Sequence, residues 1–184
     1  MSRLYKQVFA AAVATAALVA FVQSPVAQEA KKEAKTQKAS LQKQDAKMMR
    51  EIAQADLAEV QAGKLGASKA SSAEVKKFAQ HMVDDHGKHL SEARSMAKAK
   101  GVQLPSAPAK KHQQAMKKLE SASGAEFDKV FKQQMVKDHE EALKLVQNTA
   151  KNAKDPQLKA DAEKTAPVIE KHLEEAKRIA ASLK

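Results

Sequence analysis

Two stretches of the sequence carry the same residue types at the same spacing, and each stretch ends in an aspartate followed by a histidine. The first runs from Phe78 to His86 and the second from Phe131 to His139, with Phe, Met, Val, Asp and His at matching positions. Imidazole and carboxylate groups are donors that proteins offer to zinc, iron, manganese and copper. Two helices that present this pair at the same height could bind a metal ion between them. The repeat is equally consistent with a duplicated helical hairpin that binds no ligand.

Helical periodicity places several polar residues on faces that are otherwise apolar. At about 100° per residue, His86 and His89 fall within one apolar stripe, and His172 falls between Ile169 and Ala176. A buried imidazole or carboxylate needs a partner, so these residues predict either a metal site or a hydrogen-bonded network that cross-links the helices. The candidate metal ligands are Glu59, Asp85, His86, His89, Asp138, His139 and His172.

No motif for covalent or nucleotide-dependent catalysis occurs in the chain. The sequence has no Cys, no Ser placed with His and Asp in a known motif, no phosphate-binding glycine loop and no dinucleotide fingerprint. We therefore predict no catalytic residues and no organic cofactor. A bound redox metal could still react with oxygen or peroxide, so the sequence leaves enzymatic activity open.

The N-terminal residues have the features of a secretory signal. Arg3 and Lys6 precede an apolar run from Val8 to Val22, which is short for a transmembrane helix and is followed by small residues up to Ala27. We predict a signal peptide over residues 1–27, export to the periplasm or beyond, and no transmembrane segment after cleavage. Without Cys, stability would rest on packing rather than on disulfides.

The composition bears on the partners of the chain. Its 33 Lys and Arg residues outnumber 22 Asp and Glu residues, which gives a net charge of +11 at pH 7. That charge would favour anionic envelope components such as lipid, although a solvated lysine surface would look the same. Nucleic acid is not expected, because Trp is absent, the single Tyr lies in the predicted signal and no recognition motif occurs. The sequence does not indicate whether the protein is a monomer or an oligomer.

After the predicted signal, every periodic segment favours helix. Residues 28–44 have almost no apolar content and are interpreted as a flexible basic tether. Residues 45–184 are predicted to form an all-α, antiparallel four-helix bundle with a short extra helix between helices two and three. On the first helix, Gly63 and Gly66 share the inward stripe and would permit a close helix crossing. The helices are expected at about Asp45–Ser68, Ser72–Lys100, Pro108–Glu120, Glu126–Asn152 and from Asp155 onwards.

These segments resemble a known family over about residues 45–182. The matching runs are Glu59–Lys64, Val75–His86, Gly101–Pro105, Phe127–Asp128, Met135–His139 and Ala166–Leu173. Together they are similar to the ferritin-like family of secreted bacterial proteins called domain of unknown function 4142. The resemblance implies a ferritin-like four-helix bundle in the periplasm or outer envelope, and it implies no established activity.

The resemblance also implies a set of recurrent polar positions. In this sequence they fall on Glu59, Asp85, His86, Asp138, His139 and His172. Ferritin-type di-iron proteins take a Glu-x-x-His motif from two of their helices, and this chain contains no Glu-x-x-His. A standard di-iron centre is therefore not expected, and a mononuclear site or a polar network fits better.

Two hypotheses follow for the function. The first is an exported bundle that binds a transition metal in its core for envelope stress or metal handling, with Asp85 and Asp138 as ligands or as acceptors that orient the imidazoles. Its direct ligands would be Glu59, His86, His139 and His172. The alternative is a non-catalytic envelope interaction protein, in which the inward His and Asp residues only cross-link the helices.

Overall fold

The computed structural model describes residues 25–182, which form an all-α structure. Its helices are α1 Pro25–Lys69, α2 Ala73–Ala99, α3 Lys110–Ser121, α4 Gly124–Asn152 and α5 Pro156–Ser182. The predicted all-α bundle, with a short helix between the second and third long helices, is confirmed. Among the helices of residues 25–182, none combines the length and the apolar content needed to cross a membrane.

Local sequence signals explain where most helices begin and end. The Ser72 side chain accepts a hydrogen bond from the Val75 N–H and caps the start of α2. Gly101 follows the end of α2 with a φ of +65°, a conformation that glycine adopts without a steric penalty. Asp155 caps α5 by accepting from the Leu158 N–H at 3.0 Å. These boundaries lie within a few residues of the predicted ones.

The start of α1 differs from the prediction. The helix begins at Pro25, whereas the sequence analysis placed its start at about Asp45. The intervening residues are rich in Ala, Lys, Gln and Glu, which favour helix even without an apolar stripe. Side chains described between residues 29 and 44 are exposed. Residues 1–24, most of the predicted signal, lie outside the described residues, so the signal and the domain boundaries stay predictions.

Neighbouring long helices around the bundle lie antiparallel, whereas α2 and α4, which touch across the interior, run in the same direction. Between α2 and α5, Glu74 pairs with Arg178 and Glu92 pairs with Lys164, so residue numbers rise along one helix as they fall along the other. The pairs α1–α2, α1–α4 and α4–α5 show the same reversed order. The four helices can therefore each direct one side chain to a shared interior at the same height.

The connection from α2 to α4 runs along the length of the bundle. Lys100, just after α2, donates to Asp155 at 2.6 Å in the turn between α4 and α5. Gly124, at the start of α4, instead forms an isolated β-bridge with Ala70 at the opposite end. Residues 101–123 must cover this distance, and they carry α3 along the outside of α4.

Two glycines on α1 allow α2 and α4 to lie close to the backbone of α1. A Cβ atom on Gly63 would lie 2.8 Å from the Ala79 carbonyl oxygen. A Cβ atom on Gly66 would lie 2.6 Å from the Ala79 Cβ and 2.8 Å from the Phe131 ring. Both distances are below van der Waals contact, so a larger residue would push the helices apart. The predicted close crossing is confirmed.

We expect the substitution Gly66→Ala to lower the free energy of unfolding by about 1–3 kcal/mol, because the added methyl group overlaps α2 and the Phe131 ring. Gly87→Ala is the control, since no atom lies within 4 Å of a Cβ at that helical position. It should stabilise the protein by up to about 1 kcal/mol through helix propensity. Urea unfolding at pH 7 measures both changes, and equal effects would contradict the close crossing.

Candidate metal centre

Three buried histidines from three different helices lie together inside the bundle. His86 on α2, His139 on α4 and His172 on α5 are 3%, 0% and 5% exposed. Their ring centroids are 5.3 to 5.7 Å apart in each pairing. One nitrogen from each ring lies within 4.8 Å of the corresponding nitrogens of the other two. The repeated Asp-His motif thus delivers both of its histidines to one place.

Two of these rings are oriented by an acceptor on their outer side. His139 Nδ1 lies 2.7 Å from the Met135 carbonyl oxygen, and His172 Nε2 lies 2.9 Å from Asp85 Oδ2. A carbonyl or carboxylate oxygen only accepts, so each of these outer nitrogens carries the proton. The inner nitrogen of each ring, Nε2 of His139 and Nδ1 of His172, then presents a lone pair.

The third ring is held by two carboxylates. His86 Nδ1 lies 3.1 Å from Asp56 Oδ1 and 3.0 Å from Glu59 Oε2, and both carboxylates are buried on α1. Nδ1 donates its proton to Asp56, and Glu59 lies within ion-pairing distance of the same nitrogen. His86 Nε2 faces inward, as the inner nitrogens of the other two rings do.

Among the described residues, the buried side-chain atoms without a hydrogen-bond partner all belong to this cluster. They are Nε2 of His86, Nε2 of His139, Nδ1 of His172 and Oε1 of Glu59. Glu59 Oε1 lies 3.8 Å from His139 Nε2, which is too long for a hydrogen bond. Leaving one buried polar atom unpaired costs about 1–3 kcal/mol, so this concentration of acceptors requires a physical reason.

The rings on α4 and α5 are held in the neutral form that binds metals. Burial, together with the nearby charge of His86, lowers the pKa of His139 to about 3. Burial and His86 also lower the pKa of His172 below its ordinary value. Both imidazoles are therefore unprotonated on their inner nitrogens at neutral pH, which is the state required of a metal ligand.

The α1 carboxylates and the α2 ring hold a proton among them. Burial raises the pKa of Glu59 to about 8, because the charged carboxylate is poorly solvated there. Burial alone would lower the pKa of His86, but the neighbouring Glu59 and Asp56 carboxylates outweigh it and raise that pKa. A cation bound beside Glu59 and His86 would favour loss of this proton.

The surroundings of the cluster are apolar. The Phe78 ring centroid lies 6.2 Å from that of His139 and 6.4 Å from that of His172. Met82 and Met135, one helical turn before two of the histidines, are fully buried. An ion in this interior would interact with its ligands more strongly than in water, because the local dielectric constant is low.

The structure uses His89 differently from the other predicted ligands. Its Nδ1 lies 2.8 Å from Asp56 Oδ2, and its Nε2 lies 3.2 Å from Asp161 Oδ2. Burial alone would lower the pKa of His89, but the hydrogen bonds to Asp161 and Asp56 outweigh it and raise that pKa to about 10. The ring is therefore an imidazolium that cross-links α1, α2 and α5, and it is not brought to the three-histidine cluster.

The two aspartates of the repeated motif lie outside the cluster. The Asp85 side chain is 54% exposed and contacts the outer nitrogen of His172. Asp138 is buried, accepts a hydrogen bond from Gln134 Nε2 at 2.8 Å and lies 3.7 Å from His112 Nδ1. Of the predicted ligands, the structure brings together Glu59, His86, His139 and His172.

The sequence analysis missed two aspartates that organise the site. Asp56 lies four residues after Ile52 and so occupies the same inward stripe, a signal that was available from helical spacing. It is 3% exposed and contacts both His86 and His89. Asp161 lies eleven residues, about three helical turns, before His172 and so falls close to the inward stripe of α5, which is a signal of the same kind.

The fold and the cluster define an all-α bundle in which three buried imidazoles lie close to the buried Glu59 carboxylate. The chain belongs to the family described as Domain of unknown function (DUF4142), whose model matches residues 30–179. This membership confirms the family that the sequence resembles. The ferritin-like and secreted character implied by that resemblance remains a prediction.

Two solved structures are similar to this chain. One, described as CopM in the Cu(II)-bound form, aligns with a TM-score of 0.66 and 16% identity, over 76% of this chain and 97% of that chain. The other is CopM in the Ag-bound form, with a TM-score of 0.62 and 17% identity, over 73% of this chain and 93% of that chain. At this identity the likeness shows a shared fold. No curated protein matches the sequence.

The His89 cross-link predicts a specific pH dependence in metal-free protein. The pKa of His89 is 6.5 in an unfolded chain and about 10 in the folded protein, so folding takes up a proton between these values. Its stabilisation is complete below pH 6.5 and is lost as the pH rises through about 10. We expect His89→Gln to cost about 3 kcal/mol at pH 6.5 and progressively less towards pH 10.

Urea unfolding across this pH range, with a chelator present, measures the difference between the two proteins. The control is His81→Gln, which alters a histidine on the same helix whose side chain is 46% exposed. A constant difference between wild type and His89→Gln from pH 6.5 to 10 would contradict the assigned imidazolium.

Proposed function

We propose that this protein binds one transition metal ion in its interior and serves in metal handling or envelope stress. The ligands would be His86 Nε2, His139 Nε2, His172 Nδ1 and Glu59 Oε1. The observation that carries the proposal is that these buried atoms, contributed by the four long helices, lack a hydrogen-bond partner in the described part of the chain. A cation placed among them would satisfy all of them together.

A metal ion explains the donor set better than water does. His139 Nε2 and His172 Nδ1 present lone pairs, because the outer nitrogen of each ring donates to an oxygen. His86 Nε2 would present one once the proton held among His86, Glu59 and Asp56 is lost. Glu59 Oε1 is a further acceptor. One water molecule could donate to His139 Nε2 and His172 Nδ1 and accept from a protonated His86, which would still leave Glu59 Oε1 unpaired. A divalent cation accepts electron pairs from all of them.

The donor chemistry favours copper or zinc among the transition metals. Three imidazoles and a carboxylate are borderline ligands that suit these ions, whereas calcium and magnesium prefer oxygen-only sites. The similar CopM structures were solved with Cu(II) and with Ag, which supports copper as the first ion to test. The bound ion would be held away from bulk water, as sequestration requires.

The outer contacts would support such an ion. Asp85 behind His172 and Asp56 behind His86 each accept from the ring nitrogen that faces away from the proposed ion. Carboxylates in this position fix the orientation of a ligating imidazole and increase its basicity. Under this proposal, Asp85 takes the second of the two roles predicted for it, and Asp56 takes the same role.

A protein-only network is the competing function, and one observation favours it. His89 joins Asp56 and Asp161 and so connects three helices without any ion. The same reasoning extended to His86 and His139 would make the whole interior a structural cross-link. The lone pairs left unpaired at the centre favour the metal.

The cellular setting follows from the sequence predictions. We propose that the signal predicted over residues 1–27 takes the protein to the periplasm or beyond, where the metal site would operate. Without Arg3 and Lys6 of that signal, 31 Lys and Arg residues would remain against 22 Asp and Glu residues, and this net charge of +9 supports association with anionic envelope components. Vesicles containing anionic lipid should retain the protein at low salt and release it at high salt, whereas retention that does not depend on salt would contradict an electrostatic association.

Metal binding is tested with untagged protein, by elemental analysis and by titrating the metal-free form with Cu(II) and Zn(II). We expect one ion per chain, and about 3 kcal/mol of stabilisation when the free ion is at 100 times its Kd. His139→Ala and His172→Ala should each weaken binding by at least about 100-fold, because each removes a ligand. His81→Ala, on the exposed side of α2, should bind as wild type does.

The competing network predicts a different pattern. His139→Ala would lower the free energy of unfolding while the metal content and the thermal shift stayed at zero in every variant. Wild-type protein that gains neither stoichiometric metal nor thermal stability from copper or zinc would contradict the proposed function.

A further inference from the structure

A cavity of about 370 Å³ lies between α1, α4 and the segment that leads into α3. Carboxylates from two helices line it, namely Glu51 on α1 together with Asp138 and Glu141 on α4. His112 on α3 completes this polar wall. The volume can hold several water molecules, and therefore a partly hydrated ion.

Glu59 connects this cavity to the three-histidine cluster. It forms part of the cavity lining although the residue is only 2% exposed. Its Oε1 atom has no hydrogen-bond partner and lies 3.8 Å from His139 Nε2. The same carboxylate thus borders the cavity on one side and the inner imidazole nitrogens on the other.

The charge of the cavity differs from that of the chain as a whole. The protein carries a net charge of +11, which would repel a cation approaching an average part of its surface. The cavity instead concentrates acidic groups, and Lys111 at its edge is paired with Glu141 at 2.5 Å. A concave, acidic and poorly solvated surface focuses the electric field and raises the local cation concentration.

A pocket on another face of the bundle is a weaker candidate. It has a volume of about 130 Å³ and is lined by Lys88 and Lys164 as well as by Asp85 and Glu92. None of the four proposed ligands lines it, and its lysines offset its carboxylates. This second pocket therefore provides a control surface on the same molecule.

We propose that the acidic cavity is the route by which a divalent metal cation enters the interior, with Glu59 as the ligand that receives the ion before the imidazoles. This inference rests on the proposed function. The partly exposed carboxylates Glu51 and Glu141, each beside a lysine, attract the hydrated ion. The ion then exchanges water for Glu59 Oε1 at the inner end of the cavity. The histidine nitrogens beyond Glu59 complete its coordination.

The test measures the rate of Cu(II) uptake by metal-free full-length protein in a stopped-flow spectrometer at low ionic strength. The double variant Glu51→Gln/Glu141→Gln should lower the association rate constant about three- to tenfold, and the difference should shrink at high salt. The matched control is Glu92→Gln/Glu174→Gln, which removes the same charge from other exposed positions. It should associate at the wild-type rate.

A steric variant gives a second, independent readout. Ala55 also lines the cavity, and Ala55→Leu should slow association and dissociation of Cu(II) by similar factors while leaving the stoichiometry at one. Equal rates in the cavity variants, the control and the wild type would overturn the entry route but leave the metal site intact. Wild-type protein that binds no Cu(II) would overturn both the route and the proposed function.

Discussion

Polar atoms from four helices meet in the interior of the bundle, and within residues 25–182 they have no hydrogen-bond partner. The outer contacts of the rings contribute to this arrangement, because the Met135 carbonyl and the Asp85 and Asp56 carboxylates each accept the proton of an outer ring nitrogen. The lone pairs of His139 Nε2 and His172 Nδ1 consequently lie close to His86 Nε2 and Glu59 Oε1. The desolvation of these atoms is unfavourable without a ligand, and a bound cation would compensate for it.

The rest of the bundle keeps this arrangement rigid. Gly63 and Gly66 bring α1 against α2 and α4, so Glu59 reaches the plane of the histidines. The His89 imidazolium ties α1, α2 and α5 together through Asp56 and Asp161. Asp56 is shared between this cross-link and His86, and it therefore couples the stability of the bundle to the orientation of a proposed ligand. The proposed metal site and a structural network occupy neighbouring layers of one interior.

Helical spacing predicted much of this site, because side chains on one stripe must share an interior. The repeated Asp-His motif placed His86 and His139 at one height, and the stripes added Glu59 and His172. Helical spacing alone could not, however, distinguish a proposed metal ligand from another polar residue on the same stripe. His89 shares the stripe with His86, but Asp161 on a distant helix determines the direction of its ring. The acidic cavity beside α3 likewise depends on how the connection from α2 to α4 crosses the bundle.

The early start of α1 shows a different limit of the sequence argument. Residues 28–44 lack an apolar stripe and were interpreted as a tether, yet their composition alone favours helix. Periodicity detects helices that pack, and it has no signal for a helix whose side chains remain in solvent. The packed region from Asp45 onwards was therefore predicted more accurately than the helix that precedes it.

The most direct test of the central claim is anomalous diffraction from crystals of the untagged protein loaded with Cu(II). The claim predicts one strong peak inside the bundle, at coordination distance from His86 Nε2, His139 Nε2 and His172 Nδ1. A copper peak confined to the protein surface, or an interior without a peak in copper-saturated crystals, would contradict it.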